Sequence, residues 1–191
     1  MAVTATAARD RLLKMDFKTV LDIGSGSGVH AEAFRAADRE VTTLDIAPPA
    51  DFVCDYLSYY PKRDNFDCIW AAHILEHQLN VNEFLSKCYW DLKDGGILAI
   101  TVPPAKHEIV GGHLTIWNEG LLLYNLILAG FDCSKAMVGV DGYNISVIVR
   151  KNRANYPKLN YDRGDIELLA PFFPIQVEQN FNGRTGNINW D

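Results

Sequence analysis

The feature that most constrains this chain is the segment Val20-Leu-Asp-Ile-Gly-Ser-Gly-Ser-Gly-Val29. A short apolar run enters three glycines, Gly24, Gly26 and Gly28, and a helical pattern follows over residues 29–37. Glycine allows a left-handed backbone and a close approach of main chain to ligand. A helix opening just after such a turn presents free N–H groups and the positive end of its dipole to an anion. Strand, glycine turn and helix predict the first unit of an α/β sheet, with a ligand site at the sheet's carboxyl edge.

The rest of the chain extends that unit. Nearly continuous apolar runs at residues 19–23, 41–46, 51–54, 66–72 and 97–102 alternate with helical spacing at 29–37 and 81–92. Continuous apolar runs fit strands buried on both faces, so helices are expected on both sides of a mostly parallel sheet. Pro48-Pro49 and Pro103-Pro104 close two of the strands, and Asp94-Gly95-Gly96 turns the chain into another. Residues 118–129 read as a further helix, closed by Gly130. Runs 133–140 and 143–150 flank Asp141-Gly142, a two-residue hairpin signal, so the sheet is expected to finish in an antiparallel hairpin.

A length of 191 residues fits one domain. Residues 1–16 read as an N-terminal helix and 17–151 as the α/β domain. Residues 152–191 form a tail in which Asn, Pro and aromatics alternate without a period. Two readings of the tail stand: a segment wrapped on the domain, or a lid or arm joining two copies as a homodimer through Phe172, Phe173, Phe181 and Trp190. The net charge of −6 argues against nucleic acid as the main partner, because neutralising phosphates needs a basic face. The basic pairs Lys62-Arg63 and Arg150-Lys151 make no patch. Cys54, Cys68, Cys88 and Cys133 lack close metal spacing, and three of them sit in apolar runs as small buried hydrophobes. The apolar run 121–131 contains Asn125 and is far too short for a membrane span. Residues 2–10 lack the apolar core of a secretory leader. With no disulfide framework, the expected compartment is a reducing cytoplasm.

The glycine loop departs from a dinucleotide-binding fingerprint. Val29 stands where that pattern needs Gly or Ala, and Gly28 comes one residue early. Asp22 lies two residues before Gly24, where it would repel a pyrophosphate and attract an ammonium group. The ligand therefore reads as zwitterionic, with a carboxylate near the helix and an amine near Asp22. Asp45, about 20 residues past the loop, stands where a carboxylate takes a ribose hydroxyl pair. Asp55 reads equally as a capping acid or as a contact to an adenine amino group. Amino acid, ribose and adenine together describe S-adenosylmethionine.

On these residues the chain resembles the class I S-adenosylmethionine-dependent methyltransferases, in the broad group that includes quinone-biosynthesis enzymes. The resemblance runs over about residues 17–151 and rests on VLDIGSGSG (20–28), VTTLDI (41–46), CD (54–55), FDCIWAAHILEH (66–77), LKDGGILAITVPP (92–104) and GGHLTIWNEGLLLYNLILAGF (111–131). It implies a Rossmann-like, mostly parallel seven-stranded sheet ending in an antiparallel hairpin. It implies Gly24, Ser25 and Gly26 at the methionine part of the cofactor, Asp45 and Ile46 at the ribose and adenine, and Asp55 and Tyr56 at the adenine. Ala72 and His73 would floor the pocket. No separate substrate domain is inserted after residue 102, which favours a small-molecule acceptor.

The histidines carry the remaining chemistry. A general base for an oxygen or nitrogen nucleophile suits a near-neutral imidazole, and the candidates in order are His107, His77 and His113. His113 also has a structural reading, and Glu76-His77 that of a loop-ordering pair. His30 reads as surface-exposed. His73-Ile-Leu-Glu-His77 matches an inverted zinc-protease pattern. It begins where a buried strand ends, however, and no third ligand follows at a helical offset, so no metal is expected. Tyr59, Tyr60, Trp70 and Trp117 could line an acceptor site, with core the better reading for the two tryptophans. Two other functions stay open: a nicotinamide oxidoreductase, against which Asp22 and Val29 speak, and a cofactor-binding partner subunit without activity.

Overall fold

A computed structural model describes residues 4–61 and 65–190. Lys62-Arg63 and residues 1–3 of the expected N-terminal helix lie outside the described residues. The elements run α1 (Thr6–Leu12), β1 (Thr19–Ile23), α2 (Val29–Ala36), β2 (Glu40–Asp45), β3 (Phe52–Val53), β4 (Phe66–Ala72), α3 (Val81–Asp91), β5 (Leu92–Val102), α4 (Glu119–Leu128), β6 (Met137–Asp141), β7 (Asn144–Arg150) and α5 (Asp165–Leu169). The seven strands form one sheet in the order β3-β2-β1-β4-β5-β7-β6. The first five are mutually parallel, and β7 pairs antiparallel with both β5 and β6.

The period-two alternation of each strand explains the two-sided burial. Along β4, Ile69 and Ala71 enter the larger core with Phe84, Leu85, Leu122 and Leu126 of α3 and α4. Cys68 and Trp70 face the other way, into a smaller core with Leu12 of α1 and Phe34 of α2. On β1, Leu21 and Ile23 join the larger core, whereas Val20 joins the smaller. Asp22 shares the parity of Val20 and is therefore buried on the α2 side.

Several boundaries differ from the sequence expectation: α1 runs Thr6–Leu12 within the expected 1–16, the hairpin turn is Gly142-Tyr143 rather than Asp141-Gly142, and three strands differ further. β5 begins at Leu92 rather than 97, because a register shift between Phe66 and Cys68 lets the strand pair through the Gly95 turn. The expected strand at 133–140 starts at Met137. Before it, Asp132 accepts a hydrogen bond from Ser134 N at 2.9 Å and Cys133 O accepts one from Ala136 N at 2.9 Å, a turn that competes with strand pairing. The third strand shrinks to two residues, Phe52 and Val53.

The tail packs against the domain. Leu159, Leu169, Phe173 and Val177 enter the larger core. Ile188 exchanges two backbone hydrogen bonds of 2.8 Å with Val138 on the β6 edge. Beside that bridge, the Trp190 indole covers Gly139 so closely that any side chain there would collide with it. No helix among the described residues is long and apolar enough to cross a membrane.

Candidate functional site

The strand order reverses between β1 and β4, and open α/β sheets bind ligands at that switch point, beyond the carboxyl ends of the strands. β1 leads into the glycine loop and β4 into His73, which follows its last residue Ala72, so both open on the same crevice. A cavity of about 360 Å³ opens there, lined by Ile23, Gly24, Leu44, Asp45, Ile46, Cys54, Asp55, Tyr56, His73, Ile74, His77 and Gln78. Its size falls within the usual range for small-molecule sites, about 300–1,000 Å³.

The loop is held by backbone and by one carboxylate. Gly24 N and Ser25 N both donate to Leu44 O, at 2.8 and 3.2 Å. Gly24, Gly26 and Gly28 all have φ between +52° and +81°, so each carries the left-handed backbone that the turn requires. Asp45 Oδ2 accepts from Gly26 N at 2.8 Å, and Oδ1 accepts from Ala47 N at 3.0 Å. Each oxygen keeps a second lone pair for a hydroxyl donor. Asp55 caps the short 3-10 turn Tyr56–Ser58 by accepting from Leu57 N at 2.7 Å, and it also lines the cavity.

Other expected residues sit less directly. The Tyr56 hydroxyl is spent on Asp91 Oδ2 at 2.8 Å, its ring packs edge-on against Phe84, and Lys87 Nζ lies over its face. Tyr56 therefore offers the cavity its ring and backbone rather than its hydroxyl. Ser25 is buried behind the loop, and Gly26 and Gly28 are outside the cavity wall. Ala72 packs with the Trp70 core on the α2 face rather than flooring the cavity. His30 is half-buried, not surface-exposed: its ring lies 5.0 Å from that of Trp70, and burial, with help from Arg9, holds its pKa below the ordinary value.

Asp22 is 2% exposed and its Oδ2 has no hydrogen-bond partner. Burial pushes its pKa up to about 7, with Arg35 opposing and Asp45 adding to the shift. A buried carboxylate short of a partner is costly unless something supplies a donor or a positive charge. Asp22 lies behind the cavity rather than in its wall, whose acids are Asp45 and Asp55, beside the glycine turn at Gly24.

A second cavity of about 170 Å³ lies at the carboxyl end of β5, lined by Pro103, Pro104, Lys106, His107, Glu108, Ile109, Val110, His113, Thr115, Ile116 and Tyr143. Its loop is docked by Glu76, whose carbonyl accepts from Leu114 N at 2.7 Å and from Thr115 N at 3.3 Å. The two cavities meet at a histidine pair: His77 lines the first, His113 the second, and their ring centroids are 5.2 Å apart. His107 is exposed on the wall of the second cavity. His73 lines the first, with Nδ1 3.3 Å from Glu76 Oε1 and Nε2 2.9 Å from Asn144 Oδ1. Burial opposes its charged form, but those two acceptors outweigh burial and raise its pKa.

Sequence reasoning missed Ile74, whose side chain abuts Gly24, and Tyr143, which stacks on His73 at 6.3 Å and lines the second cavity. Ile74 had no signal, since it reads as one more apolar residue. Tyr143 is the second residue of the hairpin turn and reaches the site only because β7 pairs beside β5. Trp70 and Trp117 are core residues, 1% and 2% exposed, and Tyr59 and Tyr60 line neither cavity.

A Rossmann-like sheet with a glycine cradle, a strand-end acid and a cavity at the switch point defines a class of nucleoside-cofactor domain. A family model described as a methyltransferase domain matches residues 2–127, and the chain belongs to that family, the class I S-adenosylmethionine-dependent methyltransferases. Among curated proteins, a ubiquinone biosynthesis O-methyltransferase of Bradyrhizobium sp. is 28% identical over 99 residues, 43% of this chain and 38% of the relative. Its counterpart in Nitrobacter winogradskyi is 31% identical over 97 residues, 42% of this chain and 36% of the relative. The match thus spans little more than a third of those relatives' length. Among solved structures, a Burkholderia thailandensis 1,6-didemethyltoxoflavin-N1-methyltransferase with bound S-adenosylhomocysteine superposes with a TM-score of 0.66, at 18% identity over 78% of this chain and 80% of that one. A Haloferax volcanii putative methyltransferase in complex with the Trm112 activator superposes at 0.64, with 16% identity over 80% and 91%.

Proposed function

We propose that this domain transfers the methyl group of S-adenosylmethionine to an oxygen or nitrogen of a small-molecule acceptor. The observation that carries the reading is the pair of cavities: a cofactor-sized cleft at the switch point and a smaller pocket at the end of β5, meeting at His77 and His113. The donor supplies an electrophilic methyl on a sulfonium sulfur, so the protein's task is chiefly alignment. Asp45 would take the ribose hydroxyls, Asp55 with Ile46 the adenine, and the glycine turn at Gly24 would leave room for the amino-acid end. Asp22, buried and short of a donor, suits the ammonium.

In the second pocket the acceptor would lie against Tyr143 and His107. His107 acts as the general base, taking the proton of the nucleophile as the methyl arrives. Pro103 and Pro104 fix the strand end, and the exposed apolar residues Ile109 and Ile116 shape the rest of the wall.

Calorimetric titration with S-adenosylmethionine and S-adenosylhomocysteine tests the first half of this reading, with Asp45→Ala as control. Micromolar binding lost in the variant supports it; no binding by the unmodified chain overturns it. Release of S-adenosylhomocysteine in the presence of small phenols, quinols or amines tests the second half. Tight cofactor binding with no acceptor turned over would instead favour the partner-subunit reading. Binding of NADH would revive the oxidoreductase.

A further inference from the structure

The pocket at the end of β5 holds a charge that the protein leaves without a counter-ion. Lys106 lines that pocket beside His107 and Glu108, and its Nζ lies over the Tyr143 ring, 4.5 Å from the centroid. No carboxylate among the described residues lies within ion-pair distance of it, in a chain with 24 acids against 18 Lys and Arg. The lysines that border clefts at the opposite end of the sheet are each paired: Lys18 with Glu40 at 2.8 Å, Lys93 with Asp67 at 2.8 Å and Lys151 with Asp94 at 3.5 Å. We propose that Lys106 determines the specificity of this pocket, and that the acceptor is a small monoanion whose carboxylate it binds. The proposal rests on the reading of the pocket as the acceptor site of a methyltransferase.

Three observations carry the proposal. First, the cation is held in place without being neutralised. An ammonium over an aromatic face is attracted by the ring's quadrupole, but the ring brings no countercharge. The ring itself is braced. Tyr143 lies parallel to the His73 imidazole, with centroids 6.3 Å apart and 5° between the planes. His73 is tied in turn to Glu76 Oε1 at 3.3 Å and to Asn144 Oδ1 at 2.9 Å. The chain is anchored just before Lys106, where Ala105 N donates to Trp117 O at 2.7 Å. A side chain placed in advance, with its charge left open, suits a ligand of opposite charge, because little ordering remains to be done on binding.

Second, the neighbouring acid sets the number of charges. Glu108 lines the same wall and does not pair with Lys106. A phosphate carries about two negative charges at neutral pH, so it would meet the repulsion of Glu108 with one lysine to offset it. A carboxylate brings one charge for the one ammonium, and Glu108 is left to accept from the hydroxyl or amine of the same molecule. Third, the size and lining fit such a molecule. The cavity of about 170 Å³ is smaller than the usual small-molecule site, so it takes a short chain or a single ring. Pro103, Pro104 and Val110 give that body an apolar wall. Lys106 and His107 are consecutive, so one stretch of loop reads both the anion and the nucleophile.

The test measures S-adenosylhomocysteine release by the full chain with hydroxyphenylacetate, hydroxybutyrate and aminobutyrate, each against its own primary amide. The amide keeps the shape of the acid and loses its charge. At least one acid should exceed its amide by about tenfold in kcat/KM, the worth of one charge-assisted hydrogen bond at a partly exposed site. Added salt should shrink that ratio. Lys106→Met should bring acid and amide level, and Lys106→Arg should keep the acid ahead. Lys106 is exposed, so neither variant disturbs the core. The proposal falls if the amides match or exceed the acids in the unmodified chain, or if the preference for acids survives in Lys106→Met. Calorimetric titration of the same pairs, with and without S-adenosylhomocysteine, keeps the proposal apart from the reading it rests on. Acids that bind through Lys106 without turnover remove the methyltransferase reading and leave the anion site. Equal turnover of acids and amides removes the anion site and leaves the methyltransferase. No binding of any acid at millimolar concentration overturns the proposal.

Discussion

The carboxyl edge of the sheet has two halves that are held in different ways. The half over β1, β2 and β3 is fixed by main chain: Gly24 and Ser25 amides on Leu44 O, and Gly26 N on the Asp45 carboxylate at 2.8 Å. Its polar groups are already placed before any ligand arrives. The half over β4, β5 and β7 is built from side chains on a long loop, residues 103–118, tied down through Glu76 and His77. Loops vary while scaffolds persist, so the first half suits a ligand shared across a family and the second a ligand particular to this chain. Cofactor affinity and acceptor chemistry should therefore separate cleanly under mutation.

The largest expected effect breaks the first half alone. Asp45→Ala removes two charge-assisted acceptors and the brace on Gly26 at once. S-adenosylhomocysteine affinity should fall by about 300-fold, each such bond being worth about 1.5–3 kcal/mol with some overlap between them. Isothermal calorimetry reads this directly, and a loss under tenfold would remove Asp45 from the ribose. Next comes the second half. His107→Ala should lower kcat by about 100-fold, the usual worth of a positioned base, with cofactor affinity held within about twofold. An unchanged kcat at saturating acceptor would take His107 out of the mechanism.

The same division explains what could be read from the residues. The β1 loop, Asp45 and Asp55 are local: strand, glycines and strand-end acid sit in short stretches, so pattern alone places them. The parallel order and the closing hairpin follow in the same way from apolar runs and Asp141-Gly142. The junction of the two cavities is not local. His77 and His113 meet through a loop crossing, Tyr143 reaches the site through antiparallel pairing of β7 with β5, and Ile74 fills the space beside Gly24 only in three dimensions. The burial of His30 is equally non-local, since its neighbour Trp70 lies on a strand, and strand parity turns Ala72 to the face opposite the cavity. β5 starts at Leu92, before its apolar run at 97–102, because its first residues pair through a bulge.

A third expectation sharpens the role of Asp22. Its folded-state pKa is raised from 3.8 to about 7 by burial. A carboxyl raised in this direction stabilises the free protein fully below its unfolded pKa, and that contribution is lost as pH rises through about 7. An ammonium ligand needs the ionised form, so binding should expel a proton below pH 7. Cofactor affinity should then rise about tenfold per pH unit towards 7 and level off above it. Asp22→Asn should flatten that slope. A slope that survives the substitution would place the titrating group elsewhere.

The smallest effect concerns the tail, which borders neither half of the site. Trp190 closes over Gly139, and Ile188 pairs with Val138, so the tail covers the free edge of β6. An uncovered edge strand is a template for pairing with other chains. Trp190 is only partly buried, so Trp190→Ala should cost about 1 kcal/mol, a shift of a few degrees in Tm. Cofactor affinity should not change, because neither cavity includes a residue of the tail. Two outcomes separate the readings of this segment. A lower Tm with a monomer throughout fits a tail that covers its own sheet. A dimer in the unmodified chain that dissociates in Trp190→Ala fits an arm between copies, and a change in KM for the acceptor would make the tail a lid.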